Sequence, residues 1–183
     1  MYRIESLRSE QDELLRYVLD DDAASYAQVI DDLQAFIQLE GPFDGIVGFS
    51  EGGALAASLL LYYERRKTSG DQTLPKFNCA VFICSGDLVD PDDVLTKTII
   101  RKVNFAADGH VIEIPTAHIL SEEDDLYPGS GQSMRTLCEP SLREEFVHQL
   151  GHQVPGALSN DGVFEAARAI QRTIHRASAA KSF

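Results

Sequence analysis

The sequence predicts an α/β fold with a mainly parallel sheet and helices on both faces. Short apolar runs, each long enough for one buried strand, alternate with longer segments whose apolar residues recur at helical spacing. Alternating strands and helices indicate a parallel sheet, because each crossover helix returns the chain to the edge where the next strand begins. A length of 183 residues with 44% hydrophobic content favours one domain, 1–183, with a sizeable core.

The predicted elements follow one another in a regular order. They are a helix over 23–40, a strand over 43–49, a helix over 51–66, strands over 77–84 and 112–120, a helix over 130–139, a strand over 145–149 and a closing helix over 161–178. The first helix ends at Gly41-Pro42, a pair that cannot continue it. Residues 94–110 show no clear pattern. Residues 1–22 are polar and end in three aspartates, which predicts a poorly ordered loop or frayed helix.

A Gly-x-Ser-x-Gly turn joins the first strand to the helix that follows it. The turn is Gly48-Phe49-Ser50-Glu51-Gly52, and an alanine- and leucine-rich run comes directly after it. Strand, tight turn with a central serine, and helix are typical of the nucleophile elbow of α/β-hydrolases. Side chains at Gly48 and Gly52 are expected to clash where strand and helix approach. The alternative is a glycine-rich turn in which Ser50 is simply the helix N-cap.

A serine nucleophile needs a neutral histidine as base and a carboxylate that orients the histidine. The acid candidate is Asp124, in an acidic loop just after strand 112–120, and its neighbour Asp125 is a close rival. The base candidate is His152, in the loop between the last short strand and the closing helix. This chain order, serine then acid then histidine, is that of α/β-hydrolases. The remaining histidines are expected to be structural or exposed: His110, His118, His148 and His175.

Charge and cysteine content exclude several classes of partner and site. A net charge of −13 argues against nucleic acid and against an anionic membrane as partner. Three cysteines without a C-x-x-C pair argue against a disulfide framework and a zinc site, and they fit a reducing compartment. The start of the chain has no apolar signal core, and no apolar run is long enough to span a bilayer. These observations predict a cytoplasmic protein.

Three segments resemble the fungal family of serine hydrolases that is related to the ovarian-cancer-gene-2 esterase. They are GPFDGIVGFS over residues 41–50, IPTAHI over residues 114–119 leading to Asp124, and GHQVP over residues 151–155. Together they span nearly all of the chain from about residue 23 onward. The resemblance implies a triad of Ser50, Asp124 and His152 that hydrolyses carboxylic esters or thioesters through an acyl-enzyme, without a metal or organic cofactor. Some similar members release polyketide chains in secondary metabolism, which implies an acyl-carrier domain of a synthase as partner.

The chain departs from the family pattern in three places. Glu51 stands where the family commonly has glutamine, and its backbone N–H is the expected oxyanion donor, although a carboxylate there helps only if it points away. Ser121 replaces a usual glycine before the acid. No segment matches the N-terminal strand and His-Gly loop that supply the second oxyanion donor. The N-terminal strands are therefore expected to be missing, and the chain to be poorly soluble and weakly active alone. The rival prediction is a catalytically impaired hydrolase that acts as a binding module.

Overall fold

The computed structural model describes residues 17–18, 22–71, 74–156 and 160–180. Its elements are α1 (Ala23–Glu40), β1 (Gly45–Phe49), α2 (Glu51–Thr68), β2 (Cys79–Ile83), α3 (Pro91–Lys97), α4 (Phe105–Asp108), β3 (Thr116–Ser121), α5 (Ser130–Thr136), β4 (Arg143–His148) and α6 (Asn160–Ala180). A single 3₁₀ turn over Pro140–Leu142 precedes β4. Every element predicted from the pattern is present in the predicted order. Two short helices, α3 and α4, cover parts of the stretch that showed no pattern.

The four strands form one parallel sheet in the order β1-β2-β3-β4. Helix α2 packs on β1 and β2, while α6 packs on β2, β3 and β4. The side chains of β2 show that these helices cover opposite faces, since Phe82 joins the main core and its neighbour Ile83 packs with the residues under α6. The predicted parallel sheet with helices on both faces is confirmed.

The main core lies between the sheet and the helices α1 and α2. Its largest fully buried side chains include Ile30, Leu59 and Phe82, each no more than 2% exposed. Burying a side chain of this size contributes about 1.5–3 kcal/mol. A smaller cluster on the other face joins Ile119 of β3 to Ala169 of α6. Together the two clusters fix the sheet, whose carboxyl edge carries the loops described below.

Strand β3 begins later than the sequence predicted. The predicted strand over 112–120 starts instead at Thr116, directly after Pro115. Proline has no N–H to donate to a neighbouring strand, so regular pairing starts beyond it. Ile112, the first residue of the predicted strand, forms only an isolated bridge with Cys138. The other three strands differ from their predicted bounds by at most two residues at either end.

Strand β1 forms one edge of the described sheet. Within the described ranges its hydrogen-bonded neighbour is β2 alone. Val47 is 69% exposed and Phe49 is 41% exposed, on the face opposite the main core. The predictions about residues 1–22 lie almost wholly outside the described residues; the described Tyr17 is exposed, and Val18 is buried in the main core. Of the helices that the structure describes, none combines the length and apolar character needed to cross a bilayer.

A buried carboxylate ties the end of α2 to the start of α3. Asp90 is the N-cap of α3, and its side chain is 3% exposed. Both of its oxygens accept hydrogen bonds of 2.9 Å from the Arg65 guanidinium, and Arg101 also donates to it. Burial disfavours the charged carboxylate, but these cationic donors outweigh burial and lower the pKa of Asp90 to about 2.

Replacing Asp90 with asparagine is expected to lower the free energy of unfolding at pH 7 by about 2–3 kcal/mol, because the charged hydrogen bonds are lost while asparagine still caps the helix. A folded pKa of about 2, below the ordinary 3.8, means that the contribution is present above pH 4 and disappears as the pH falls through about 2. Urea unfolding at several pH values measures this. Asp92→Asn is the control: its side chain is 35% exposed, and the expected loss is under about 1 kcal/mol.

Candidate active site

Ser50 lies between β1 and α2 in a backbone conformation that residues other than glycine rarely adopt. Its φ is 59° and its ψ is −128°. Strain of this kind costs about 1–3 kcal/mol and persists only where surrounding contacts fix it. Here the Ser50 N–H donates to the Ile83 carbonyl at 2.9 Å, and the Ser50 carbonyl accepts from the N–H groups of Gly53 and Gly86, both at 3.1 Å. The turn thus presents the Ser50 hydroxyl at the carboxyl edge of the sheet.

The Ser50 side chain does not cap α2. Its Oγ makes no capping hydrogen bond and lies 2.8 Å from His152 Nε2. The alternative interpretation of Ser50 as a simple N-cap is therefore wrong. The strained turn serves to hold the hydroxyl against a histidine 102 positions further along the chain.

Close approach of β1 and α2 depends on Gly48 and Gly53. A Cβ at Gly48 would lie 2.4 Å from the Gly52 carbonyl oxygen, which confirms the clash predicted there. The clash predicted at Gly52 is wrong, because the nearest atom to its Cβ would be a Tyr17 ring carbon at 3.9 Å. The second close contact is instead at Gly53, whose Cβ would lie 2.8 Å from the Cβ of Ser85. A side chain at Gly52, the last glycine of the motif, would point away from β1. A side chain at Gly53 would point at the loop that carries Ser85.

Gly53→Ala is expected to destabilise the fold by about 1–3 kcal/mol, because the new methyl group overlaps a Ser85 atom fixed to the backbone. Gly52→Ala is the matched control, one residue away in the same helical turn. The space there is open, and alanine favours a helix by up to about 1 kcal/mol over glycine. Thermal unfolding of both variants measures the difference. Equal stability of the two would contradict this account of the turn.

His152 is oriented by Asp124, on the loop after β3. The His152 Nδ1 lies 2.8 Å from Asp124 Oδ2, and the two side chains are only 8% and 7% exposed. The other carboxylate oxygen accepts from the N–H groups of Leu126 and Tyr127, at 3.1 and 2.9 Å. These backbone bonds fix the carboxylate in place. Asp125, the rival candidate, is exposed, and the structure places Asp124 against the histidine instead.

Two aromatic rings flank the imidazole of His152. The ring of Phe49 lies 5.1 Å from it and the ring of Tyr127 lies 5.4 Å from it, measured between centroids. They limit the rotation of the imidazole and its contact with water. Neither residue was predicted from the sequence to belong to the site. The sequence indicates them only by their position, since each lies within three residues of a predicted site residue.

The start of α2 provides backbone donors beside the Ser50 hydroxyl. Glu51 is the first residue of the helix, and the first N–H groups of a helix have no acceptor within it. The Glu51 carboxylate accepts a hydrogen bond of 3.2 Å from the Tyr17 N–H, so it is held by the segment that precedes α1.

Of the other histidines, His118 is most clearly a structural residue. It is 1% exposed inside β3 and lies 3.0 Å from the Thr116 hydroxyl. Burial lowers its pKa to about 3, so it stays neutral. His110 and His175 are exposed, the second as predicted. His148 is buried at the end of β4.

Three potential metal ligands meet at the site. Atoms of Cys84, Asp124 and His152 lie within 4.8 Å of one another. The carboxylate and the imidazole already bond each other, however, and burial raises the pKa of Cys84 to about 11, which keeps the thiol protonated. Since a metal needs the thiolate and a free ring nitrogen, these three side chains fit the observed hydrogen bonds better than a metal centre.

The chain is similar to a described family and to several fungal proteins. A family model described as "Serine hydrolase (FSH1)" matches residues 7–162. The esterase FPY3 of Fusarium mangiferae is 36% identical over 168 residues, which cover 91% of this chain and 73% of that protein. "Family of serine hydrolases 2" of Saccharomyces cerevisiae is 30% identical over 131 residues, which cover 70% of this chain and 53% of that protein. The crystal structure of Zea mays acyl-protein thioesterase 2 aligns with a TM-score of 0.49 at 19% identity, over 86% of this chain and 69% of that chain.

The family match includes the elbow, the acid loop and the histidine loop, because all three lie within residues 7–162. On the family match and the identity to FPY3, the chain belongs to the FSH1 family of serine hydrolases.

Proposed function

We propose that this protein hydrolyses carboxylic esters or thioesters through an acyl-enzyme on Ser50, as a single domain over residues 1–183. The observation that carries the proposal is the continuous hydrogen-bonded series from Ser50 Oγ through His152 to Asp124, with both contacts at 2.8 Å. Nucleophile, base and orienting acid within hydrogen-bond reach of one another are the recognised requirement for acyl transfer.

In the first half of the reaction, Ser50 Oγ attacks the substrate carbonyl while its proton passes to His152 Nε2. The imidazolium that forms is stabilised by Asp124, which accepts the hydrogen bond from Nδ1 and stays ionised. The tetrahedral intermediate then collapses. The carbon–oxygen or carbon–sulfur bond to the leaving group breaks, His152 returns the proton to that group, and the acyl chain remains esterified to Ser50.

In the second half, water replaces the alcohol or thiol. His152 takes a proton from the attacking water, the new tetrahedral intermediate collapses, and the proton returns to Ser50 Oγ as the carboxylic acid leaves. The backbone N–H of Glu51 is the proposed donor to the oxyanion in both halves. Its place at the N-terminus of α2 supports this role, because helix N-termini stabilise negative charge.

The substrate proposed is a small-molecule acyl ester or thioester, and no metal or cofactor takes part. FPY3 is named an esterase, and other fungal relatives of this chain carry the names esterase or hydrolase. The resemblance supports release of an acyl or polyketide chain in secondary metabolism, with an acyl-carrier domain as partner, in the cytoplasm. We propose neither nucleic acid nor a membrane as a partner, because the net charge of −13 would repel their phosphate groups.

The test is steady-state and pre-steady-state hydrolysis of p-nitrophenyl butyrate, beside the corresponding butyryl thioester. Accumulation of an acyl-enzyme gives a burst of nitrophenol equal to the concentration of active sites, followed by slower turnover. Relative kcat/KM for the oxygen ester and the thioester assigns the preferred bond. A folded protein that neither releases nitrophenol nor cleaves the thioester would support the binding module instead.

Asp124→Asn is expected to lower kcat by about 10⁴-fold, because an amide cannot hold the imidazole in the tautomer that accepts the Ser50 proton. Asp125→Asn should stay within about twofold of the parent protein, since this side chain is exposed and outside the hydrogen-bonded series. Hydrolysis of p-nitrophenyl butyrate measures both. The reverse ranking would assign the acid to Asp125.

A further inference from the structure

Two buried ionisable side chains lie beside the triad and take no part in the proposed mechanism. Cys84 directly follows β2 and is 1% exposed, and His148 is the last residue of β4 and is 6% exposed. The Cys84 Sγ lies 3.7 Å from His148 Nε2. Both residues face the loop that carries His152.

Hydrogen bonds define the proton positions in this pair. The Leu150 N–H donates to His148 Nδ1 at 3.2 Å, so this nitrogen is the acceptor and the neutral ring carries its proton on Nε2. That proton points to the Cys84 sulfur. The thiol in turn donates to the Gln153 carbonyl at 3.4 Å, with the Gly151 carbonyl at 4.0 Å.

The series therefore holds the backbone on both sides of His152. His148 holds Leu150, before the histidine, and Cys84 holds Gln153, after it. Both His148 and Cys84 lie at the ends of strands. Cys84 itself is fixed to the sheet, because its N–H donates to the Ile119 carbonyl at 2.8 Å. Its φ of 41° is unusual for a residue other than glycine, which fits a position held by its contacts.

We propose that Cys84 and His148 are positioning residues that hold the loop from Leu150 to Gln153, and with it the imidazole of His152, at hydrogen-bond distance from Ser50. This inference rests on the proposed function. Its physical basis is that a catalytic base misplaced by about 1 Å costs up to about 10²-fold in rate. A side chain on a loop needs such support, whereas one on a helix or strand has it already.

The electrostatics of the pair agree with a structural hydrogen bond rather than with a charged one. Burial, followed by the negative charge of Asp124, raises the pKa of Cys84 to about 11. Burial also lowers the pKa of His148. Both groups are therefore neutral at pH 7, in the states that the observed donors and acceptors require.

The experiment compares kcat and KM for p-nitrophenyl butyrate in Cys84→Ala, Cys84→Ser and Cys138→Ala. Cys84→Ala should lower kcat about 10- to 100-fold with KM changed less than about twofold, because loop geometry and not substrate binding is altered. Cys84→Ser should recover most of that loss, since its hydroxyl can still donate to the Gln153 carbonyl. Cys138→Ala removes an equally buried thiol away from this loop, and it should keep the parent kcat.

A kcat for Cys84→Ala within twofold of that for Cys138→Ala would overturn the inference, and so would a Cys84→Ser variant as slow as Cys84→Ala. If Cys84→Ala does not fold, His148→Asn decides the question. Its amide oxygen can still accept from the Leu150 N–H, but the donor that orients the Cys84 thiol toward the Gln153 carbonyl is lost, so the hold on that side of His152 weakens and kcat should fall at least fivefold. An unchanged kcat would overturn the inference. A parent protein without turnover would contradict the proposed function, whereas an active parent with insensitive variants contradicts this inference alone.

Discussion

Substitution of Ser50 by alanine is expected to lower kcat for ester hydrolysis by about 10⁶-fold, as removal of the nucleophile does in other serine hydrolases. The reason is the geometry of the turn. The Ser50 hydroxyl lies 2.8 Å from the base, so its loss removes both the attacking atom and the proton that the base accepts. Hydrolysis of p-nitrophenyl butyrate at high enzyme concentration measures the residual rate.

The fold should survive this substitution. Alanine at Ser50 carries the same positive φ as serine, and the backbone bonds that hold the turn do not involve the hydroxyl. Circular dichroism and a melting temperature within about 2 °C of the parent value would show this. Ser133→Ala, an exposed serine on α5, is the matched control and should keep full activity. Activity that survives in a folded Ser50→Ala variant would remove Ser50 from the mechanism.

Substitution of His152 by alanine is expected to lower kcat by a similar factor, about 10⁵–10⁶-fold. Without the imidazole, the Ser50 hydroxyl keeps its proton and is a poor nucleophile. The same assay measures the effect, with His110→Ala and His175→Ala as controls. Both are histidines exposed on the surface, so each should retain activity within about twofold.

A double variant separates a shared mechanism from two independent effects. Because Ser50 and His152 act as one unit, Ser50→Ala combined with His152→Ala should be no slower than either single variant. Multiplicative losses would show that the two side chains act independently. A His110→Ala variant as slow as His152→Ala would contradict the assignment of His152 as the base.

The fold followed from sequence because its pattern and its local signals agree. Continuous apolar runs for β2 and β3, helical periodicity for α1 and α6, and a strong stop at Gly41-Pro42 each indicate the same alternation. The prediction failed in detail where tertiary contacts decide. Pro115 delays the start of β3, and α3 depends on the Asp90 cap and its two arginines, which are distant in sequence.

The order of residues along the chain and their positions in loops were enough to predict the main residues of the candidate site. Ser50, Asp124 and His152 were all named from sequence, and the structure brings their side chains together. The choice between Asp124 and its neighbour depended on one position of a loop, which no local pattern specifies. Gly53 was missed because its contact is with a loop 32 residues away, and Cys84 because a cysteine after an apolar strand is usually an inert core residue.

The most direct test of the central claim is the identity of the residue that an acyl-enzyme analogue modifies. The protein is treated with a fluorophosphonate probe, digested and analysed by peptide mass spectrometry, with Ser50→Ala treated in parallel. We expect one phosphonyl group per chain, located on Ser50, and no modification of Ser50→Ala. Modification of a different serine, or equal modification of the variant, would contradict it.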